Sequence, residues 1–148
     1  MRFETLHTLL DMVQKIDEST AWRFAMDENA QRFIVSLNTH EQLGEDGIDA
    51  NGLSLGDYAP FTIDFRTSKG LQVGHIDFKV TGDYWRSWKV EVLDEEIIIH
   101  VDEERFNELV TDLNFSPDHV GLTDINMDRL AEMIKNNYLE YAKTAIFL

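Results

Sequence analysis

The chain contains no cysteine. A disulfide framework, a thiol nucleophile and thiolate zinc sites are therefore excluded, and the composition fits a reducing compartment. Proline occurs only twice. No apolar run approaches the roughly 18 residues that a membrane helix needs. The opening Met-Arg-Phe-Glu-Thr-Leu lacks the charged and long apolar regions of a signal peptide, so the expected setting is the cytosol, or export by some other route. Positive charge is scarce: 13 basic residues against 28 acidic leave a net charge of −15. Residues 1–74 hold 6 and 12 of these, and residues 75–148 hold 7 and 16, so the acidity is spread along the chain and not gathered in a tail. Such a surface repels phosphate backbones. It argues against nucleic-acid binding, with solubility as the plain effect of the acids.

Nucleotide-binding signatures are missing as well. Gly-x-Gly-x-x-Gly and Gly-x-x-x-x-Gly-Lys-Ser/Thr do not occur. His7, His40, His75, His100 and His119 lack the i, i+4 or His-x-His spacing of zinc ligands. Gly47-Ile48-Asp49-Ala50-Asn51-Gly52 faintly resembles a calcium loop, yet Gly47 stands at the first ligand position and Tyr58 at the last, so Asn51-Gly52 reads as a turn. Acidic pairs abound without any one standing out as an acid/base couple. No catalytic residue, cofactor or metal site is expected. A small-molecule enzyme would need a deep pocket with converging polar groups.

What is present suits a single domain over residues 1–148, with 43% apolar and 28% charged residues. Leu6, Leu9, Leu10, Val13 and Ile16 recur at helical spacing; after a break near residue 18, so do Trp22, Met26, Ala30, Phe33, Ile34 and Leu37. Residues 1–37 thus form a helical N-terminal part. Residues 38–72 carry five glycines and one proline and read as a long projecting loop, with a short helix from about Ala59 to Thr67 begun by Pro60. Phe61, Ile63 and Phe65 alternate with polar residues as a strand would. The spacing of Thr62, Arg66 and Gly70 favours the helix, and Tyr58 would align with them along one side of it.

Residues 73–101 predict an antiparallel meander of three strands. Ile76, Phe78 and Val80 share one face opposite His75, Asp77 and Lys79, and a turn at Thr81-Gly82-Asp83 follows. Trp88, Val90 and Val92 then alternate, and Leu93-Asp94-Glu95-Glu96 leads into Ile97, Ile98, Ile99 and Val101. Residues 102–148 predict C-terminal helices. A short one runs through Phe106, Leu109, Val110 and Leu113 and ends at Ser116-Pro117; the last is capped by Thr123, with Leu130, Met133, Ile134, Asn137, Tyr138 and Tyr141 as its stripe. The expected fold class is α+β: a small antiparallel sheet of about three to four strands packed against N- and C-terminal helices, with a long Gly-rich loop before the sheet. Trp88 belongs to the core by its alternation, whereas Tyr84 and Trp85 suit either the core or a recognition surface. The apolar Ala145-Ile146-Phe147-Leu148 must rest on the domain or on a neighbouring subunit.

Taken in order, Gln42-Leu43, Gly47-Ile48-Asp49, Asn51-Gly52, Tyr58-x3-Thr62-x3-Arg66-x3-Gly70, Thr81-Gly82-x-Tyr84-x-x-Ser87-Trp88 and Gly121-Leu122-Thr123 resemble a group of small tailed-phage proteins. These are the virion-morphogenesis or tail-completion proteins of the neck, found in Bacteroides-type prophages. The resemblance covers about residues 38–125. Arg66 stands where relatives usually carry Lys, and Asn114-Phe115 where a Tyr-Gly pair would be expected. The resemblance implies helices packed on a small antiparallel sheet and assembly into a homo-oligomeric ring with other neck or tail proteins at the head–tail joint. The isolated chain can stay monomeric, since such rings form on their partners. It also implies residence in the host cytoplasm during assembly and then in the virion, without enzymatic activity, cofactor, membrane or sequence-specific nucleic acid. The residues expected to serve assembly are Tyr58, Thr62, Arg66, Gly70, Tyr84, Trp85 and Phe147. If subunits ring the DNA channel, an acidic lumen would let DNA slide without sticking. The charge motivates an alternative: an acidic inhibitor or DNA-mimic module whose acids, clustered on one face, occupy the basic site of a nucleic-acid enzyme.

Overall fold

Two aspartates open the helical part of the chain in the computed structural model, which describes residues 17–94 and 96–147. Asp17 and Asp27 precede helices α1 (Glu18–Ala25) and α2 (Glu28–Ser36), and their carboxylates accept from the amides of Thr20 and Ala30. Each cap satisfies an N–H that the helix leaves free. The periodic run from Trp22 to Leu37 is therefore two helices parted at Met26-Asp27, not one. The helix expected over residues 6–16 lies outside the described residues.

Past Ser36 the chain continues as a wider π-helix over Leu37–Asp46, where the sequence suggested a loop from residue 38. Thr39 Oγ1 donates to the Val35 carbonyl at 2.7 Å, the acceptor that the Thr39 amide would take in an α-helix. Such competition loosens helical turns. Gly47 ends the element with φ 63°, and a Cβ there would come within 2.6 Å of the His75 ring. Asn38, Thr39 and Gln42 look like loop residues because they are polar, yet all three are buried. Asn38 donates to the His119 carbonyl (2.9 Å) and accepts from the Gly121 amide (2.7 Å). One turn on, Gln42 donates to the Gly121 carbonyl (2.8 Å) and accepts from the Thr123 amide and the Asn126 side chain (2.9 Å each). Two side chains thus hold the whole segment 119–126.

The projecting loop is likewise corrected for residues 47–56. Asp49 Oδ1 accepts from the amides of Asn51 and Leu53, Ile48 and Ser54 form an isolated antiparallel bridge, and Ala50 N–H donates to the Asp118 carbonyl at 2.8 Å. Helix α3 (Pro60–Ser68) then forms where expected, with Pro60 in its first turn.

The sheet has fewer strands than expected. Among the described residues it is a single hairpin of β1 (Lys89–Val92) and β2 (Ile97–His100), in the register Lys89↔His100 to Val92↔Ile97. Residues 76–80 do not form the third strand, and Phe78 has φ 57°. Side chains have taken the groups a ladder would use: the Asp77 amide donates to Tyr58 Oη (3.0 Å), the Lys79 amide to Asp77 Oδ1 (2.8 Å), and the Lys79 carbonyl accepts from Arg66 (2.7 Å). Nor is Thr81-Gly82-Asp83 a turn between strands; Gly82 at φ 86° starts the short helix α4 (Asp83–Arg86).

Helix α5 (Glu103–Asn107) is capped by Asp102 and runs on as a π-helical turn, Glu108–Asp112. A 3-10 turn over Pro117–His119 leads to α6 (Asp124–Phe147). Thr123 Oγ1 accepts from the Asn126 amide at 3.3 Å, as expected of a cap. Val90, Val92, Ile97 and Ile99 pack against Met26, Ala30, Ile34 and Leu130, so the sheet face is covered by α2 and α6. A second cluster, of Leu43, Ile76, Phe78, Tyr84, Trp85, Trp88 and Leu109, also touches Ile99. The fold is α+β.

Gln42→Leu removes one donor and one doubly used acceptor from the interior, leaving partners unsatisfied. It should lower stability by about 2–4 kcal/mol, read from urea unfolding. A loss of only a few tenths would mean that water replaces these bonds.

Candidate functional site

Arg66 sits in the last turn of α3 and is 1% exposed, the largest of the fully buried side chains. A buried guanidinium must spend its donors, and this one does. Nε donates to the Gln72 carbonyl (2.8 Å), Nη1 to the Lys79 carbonyl (2.7 Å) and Nη2 to both oxygens of Asp77 (3.1 and 3.2 Å). The guanidinium also lies 4.3 Å from the Tyr58 ring centroid. Tyr58 Oη donates to Asp77 Oδ1 at 2.8 Å, and Gln72 Nε2 donates to Asp77 Oδ2 at 2.7 Å. Burial, with the Asp77 carboxylate beside it, pushes the Tyr58 hydroxyl up to about 12.

Of the residues expected to serve assembly, Tyr58 and Arg66 meet in this cluster. Tyr58 lies just before α3, so the four do not share one helix side. Thr62 lines a cleft of about 590 Å³ whose apolar walls include Phe65, Val80 and Leu113. Gly70 ends α3 at φ 69°, with open space where a Cβ would stand, so backbone conformation and not crowding selects glycine. Trp85 Nε1 donates to the Asp77 carbonyl at 2.9 Å. Arg66, Tyr84 and Trp85 are all buried, which corrects their placement on a contact surface: their polar atoms are engaged inside the chain. Phe147 ends α6, and its side chain lies outside the described residues.

Sequence reasoning missed a second polar cluster around His119, which is fully buried. Its Nδ1 lies 2.7 Å from the Ser116 carbonyl, which can only accept. The proton therefore sits on Nδ1, and Nε2 accepts from the Tyr84 hydroxyl at 2.9 Å. Phe78 and Phe106 flank the ring. Burial holds His119 below its ordinary 6.5 and pushes Tyr84 above the usual tyrosine range. The signal available in the sequence was the Asn38/Gln42 pair at i, i+4, whose amides hold the backbone from His119 to Thr123.

Chemically, the Arg66 cluster ties together residues 58–79 and the His119 cluster joins segments far apart in the chain, each through internal hydrogen bonds. The surface is different: among the described residues Phe61 (84%), Ile125 (75%) and Leu53 (63%) are the most exposed large apolar side chains. Among the described residues no three His, Asp or Glu side chains are placed to hold a metal ion, and no helix is long and apolar enough to cross a membrane. No protein-family model, curated protein or solved structure matches the chain.

Arg66→Met strands the Asp77 carboxylate and should cost about 3–5 kcal/mol in urea unfolding. Removing both charges in Arg66→Met/Asp77→Leu should recover part of that loss. A second expectation concerns acid. His119 is neutral in the folded chain and its folded pKa is depressed, so the unfolded chain binds the proton first. Stability from this group is complete above 6.5 and declines as pH falls from there through the folded value. Thermal unfolding of His119→Gln against the parent should show a shallower decline in that window; equal slopes would contradict the assignment.

Proposed function

We propose that the chain is a structural component of the tailed-phage neck or tail-completion complex, acting by protein–protein assembly at the head–tail joint. The observation that carries the reading is the fate of the motif residues. Tyr58, Arg66, Gln42, Asp49 and the backbone of Gly121 and Thr123 are spent on bonds that fix the chain's own shape. Residues kept for shape suit a part whose work is to present surfaces, and exposed Phe61, Leu53 and Ile125 are the kind of side chains such contacts use. In this reading the subunits form a homo-oligomeric ring on neighbouring neck or tail proteins. They pass from the host cytoplasm into the virion, and no chemical step or cofactor is involved.

The test is mass spectrometry of purified particles of the phage that encodes the chain. The protein should copurify with full virions and be absent from particles blocked before head–tail joining. Its presence in infected-cell lysate but absence from virions would overturn the reading.

A further inference from the structure

β1 has one neighbour where the sequence pattern anticipated two. Leu93 N–H donates to the Glu96 carbonyl at 2.9 Å, which fixes the phase of the hairpin. In an antiparallel ladder hydrogen-bonded pairs alternate, so Glu91 and Lys89 turn their amides toward β2 while Val90 and Val92 turn theirs outward. No other described residue bonds these outward groups. The edge is not simply open to solvent. A groove of about 650 Å³ runs beside it, with Gln31, Arg32 and Val35 of α2 on one wall and Trp88, Lys89 and Val90 on the other.

Two further observations say what the groove would accept. Trp88 is 5% exposed, and its Nε1–H is the one buried side-chain polar atom among the described residues without a hydrogen-bond partner. A buried donor left unpaired is costly and calls for an acceptor. The lining charges are Arg32 and Lys89 against Glu28 alone, on a chain whose net charge is −15. Arg32 is 3.6 Å from Glu28, and Lys89 has no ion-pair partner among the described residues. The cations therefore exceed the acids in this groove.

We propose that the groove between β1 and α2 binds an extended, acidic segment of another protein, added along β1 as a third strand. The backbone of the segment pairs with the outward N–H and C=O groups of Val90 and Val92. Alternate apolar side chains point into the groove over Val35 and Trp88, and a carboxylate on the segment meets Lys89 and Arg32. This inference stands on the groove alone and holds whether or not the chain belongs to a phage neck.

The test uses the full chain and a displayed library of short random peptides, with the tightest binders resynthesised. Selected peptides should alternate apolar residues and carry Asp or Glu. In amide-resolved NMR they should shift Val90, Val92 and the Trp88 indole N–H and slow the exchange of the two valine amides. The double variant Arg32→Glu/Lys89→Glu, altered only at exposed charges, should keep the parent's spectrum elsewhere and bind the same peptides about tenfold more weakly or worse. Shifts confined to the cleft of Phe65, Val80 and Leu113, binding indifferent to the charge reversal, or a failure to select any peptide would each overturn the proposal. So would sedimentation showing that a second copy of the chain protects the same amides, since the occupant would then be this chain itself.

Discussion

The fold turns on a buried charge that cannot be left alone. Taking an arginine and an aspartate out of water costs several kcal/mol per ion, and their mutual attraction recovers this only when the remaining donors and acceptors are also met. Around Arg66 they are: Asp77, two carbonyls and the face of Tyr58 surround the guanidinium. Meeting them imposes geometry. The carbonyls of Gln72 and Lys79 must both converge on one side chain of α3, so the chain between them wraps the guanidinium instead of running straight. Phe78 is held at φ 57°, a conformation costing a bulky residue on the order of 1–3 kcal/mol. Its neighbours on both sides are fixed by the same cluster, and its ring packs against Phe115 and His119.

The amides of Asn38 and Gln42 do for the C-terminal half what Arg66 does for the middle. They grip backbone atoms from His119 to Thr123 and so set where α6 begins. His119 is held at both ring nitrogens between Ser116 and Tyr84. An apolar core can repack when a methyl group moves, because dispersion has little direction. Polar contacts of this kind specify register, since a displaced amide loses a partner and gains none. The two clusters meet at Phe78, which touches His119 directly.

Those polar interiors explain what could and could not be read from the sequence. Helices α3, α5 and α6 and the Val90/Ile99 hairpin were legible because Pro60, the helical spacing of Phe106 with Leu109 and of Leu130 with Ile134, the strand alternation and the cap at Thr123 are local signals. Residues 38–46 lack apolar periodicity and so resemble a loop, whereas Asn38 and Gln42 are buried through hydrogen bonds whose partners lie about eighty positions away. Residues 76–80 carry a true period-two pattern, and Ile76 and Phe78 do reach the core. What pattern could not register was that Asp77 would recruit Arg66 and Tyr58. Of the site residues, the spacing of Tyr58 and Arg66 pointed to a common cluster, but its surroundings made it an interior one. Trp85 gave no local sign of its choice; it joins the core cluster of Leu43, Ile76 and Trp88, and its indole N–H is met by the Asp77 carbonyl.

The unformed strand and the groove beside β1 follow from the same cause. In a three-stranded meander the segment 76–80 would have been β1's second neighbour, and the outward groups of Val90 and Val92 would have been satisfied by it. Arg66 draws that segment away toward α3, so the interaction that makes the interior specific also leaves the sheet one strand short. An unpaired edge is ordinarily a hazard, because any extended chain can add to it and be added to in turn. Here α2 forms one wall of the groove beside the edge, so a strand entering it also meets helix side chains. An edge bounded in this way is useful for binding where a free edge would promote aggregation, and the positive charge of Lys89 and Arg32 narrows which strands are admitted.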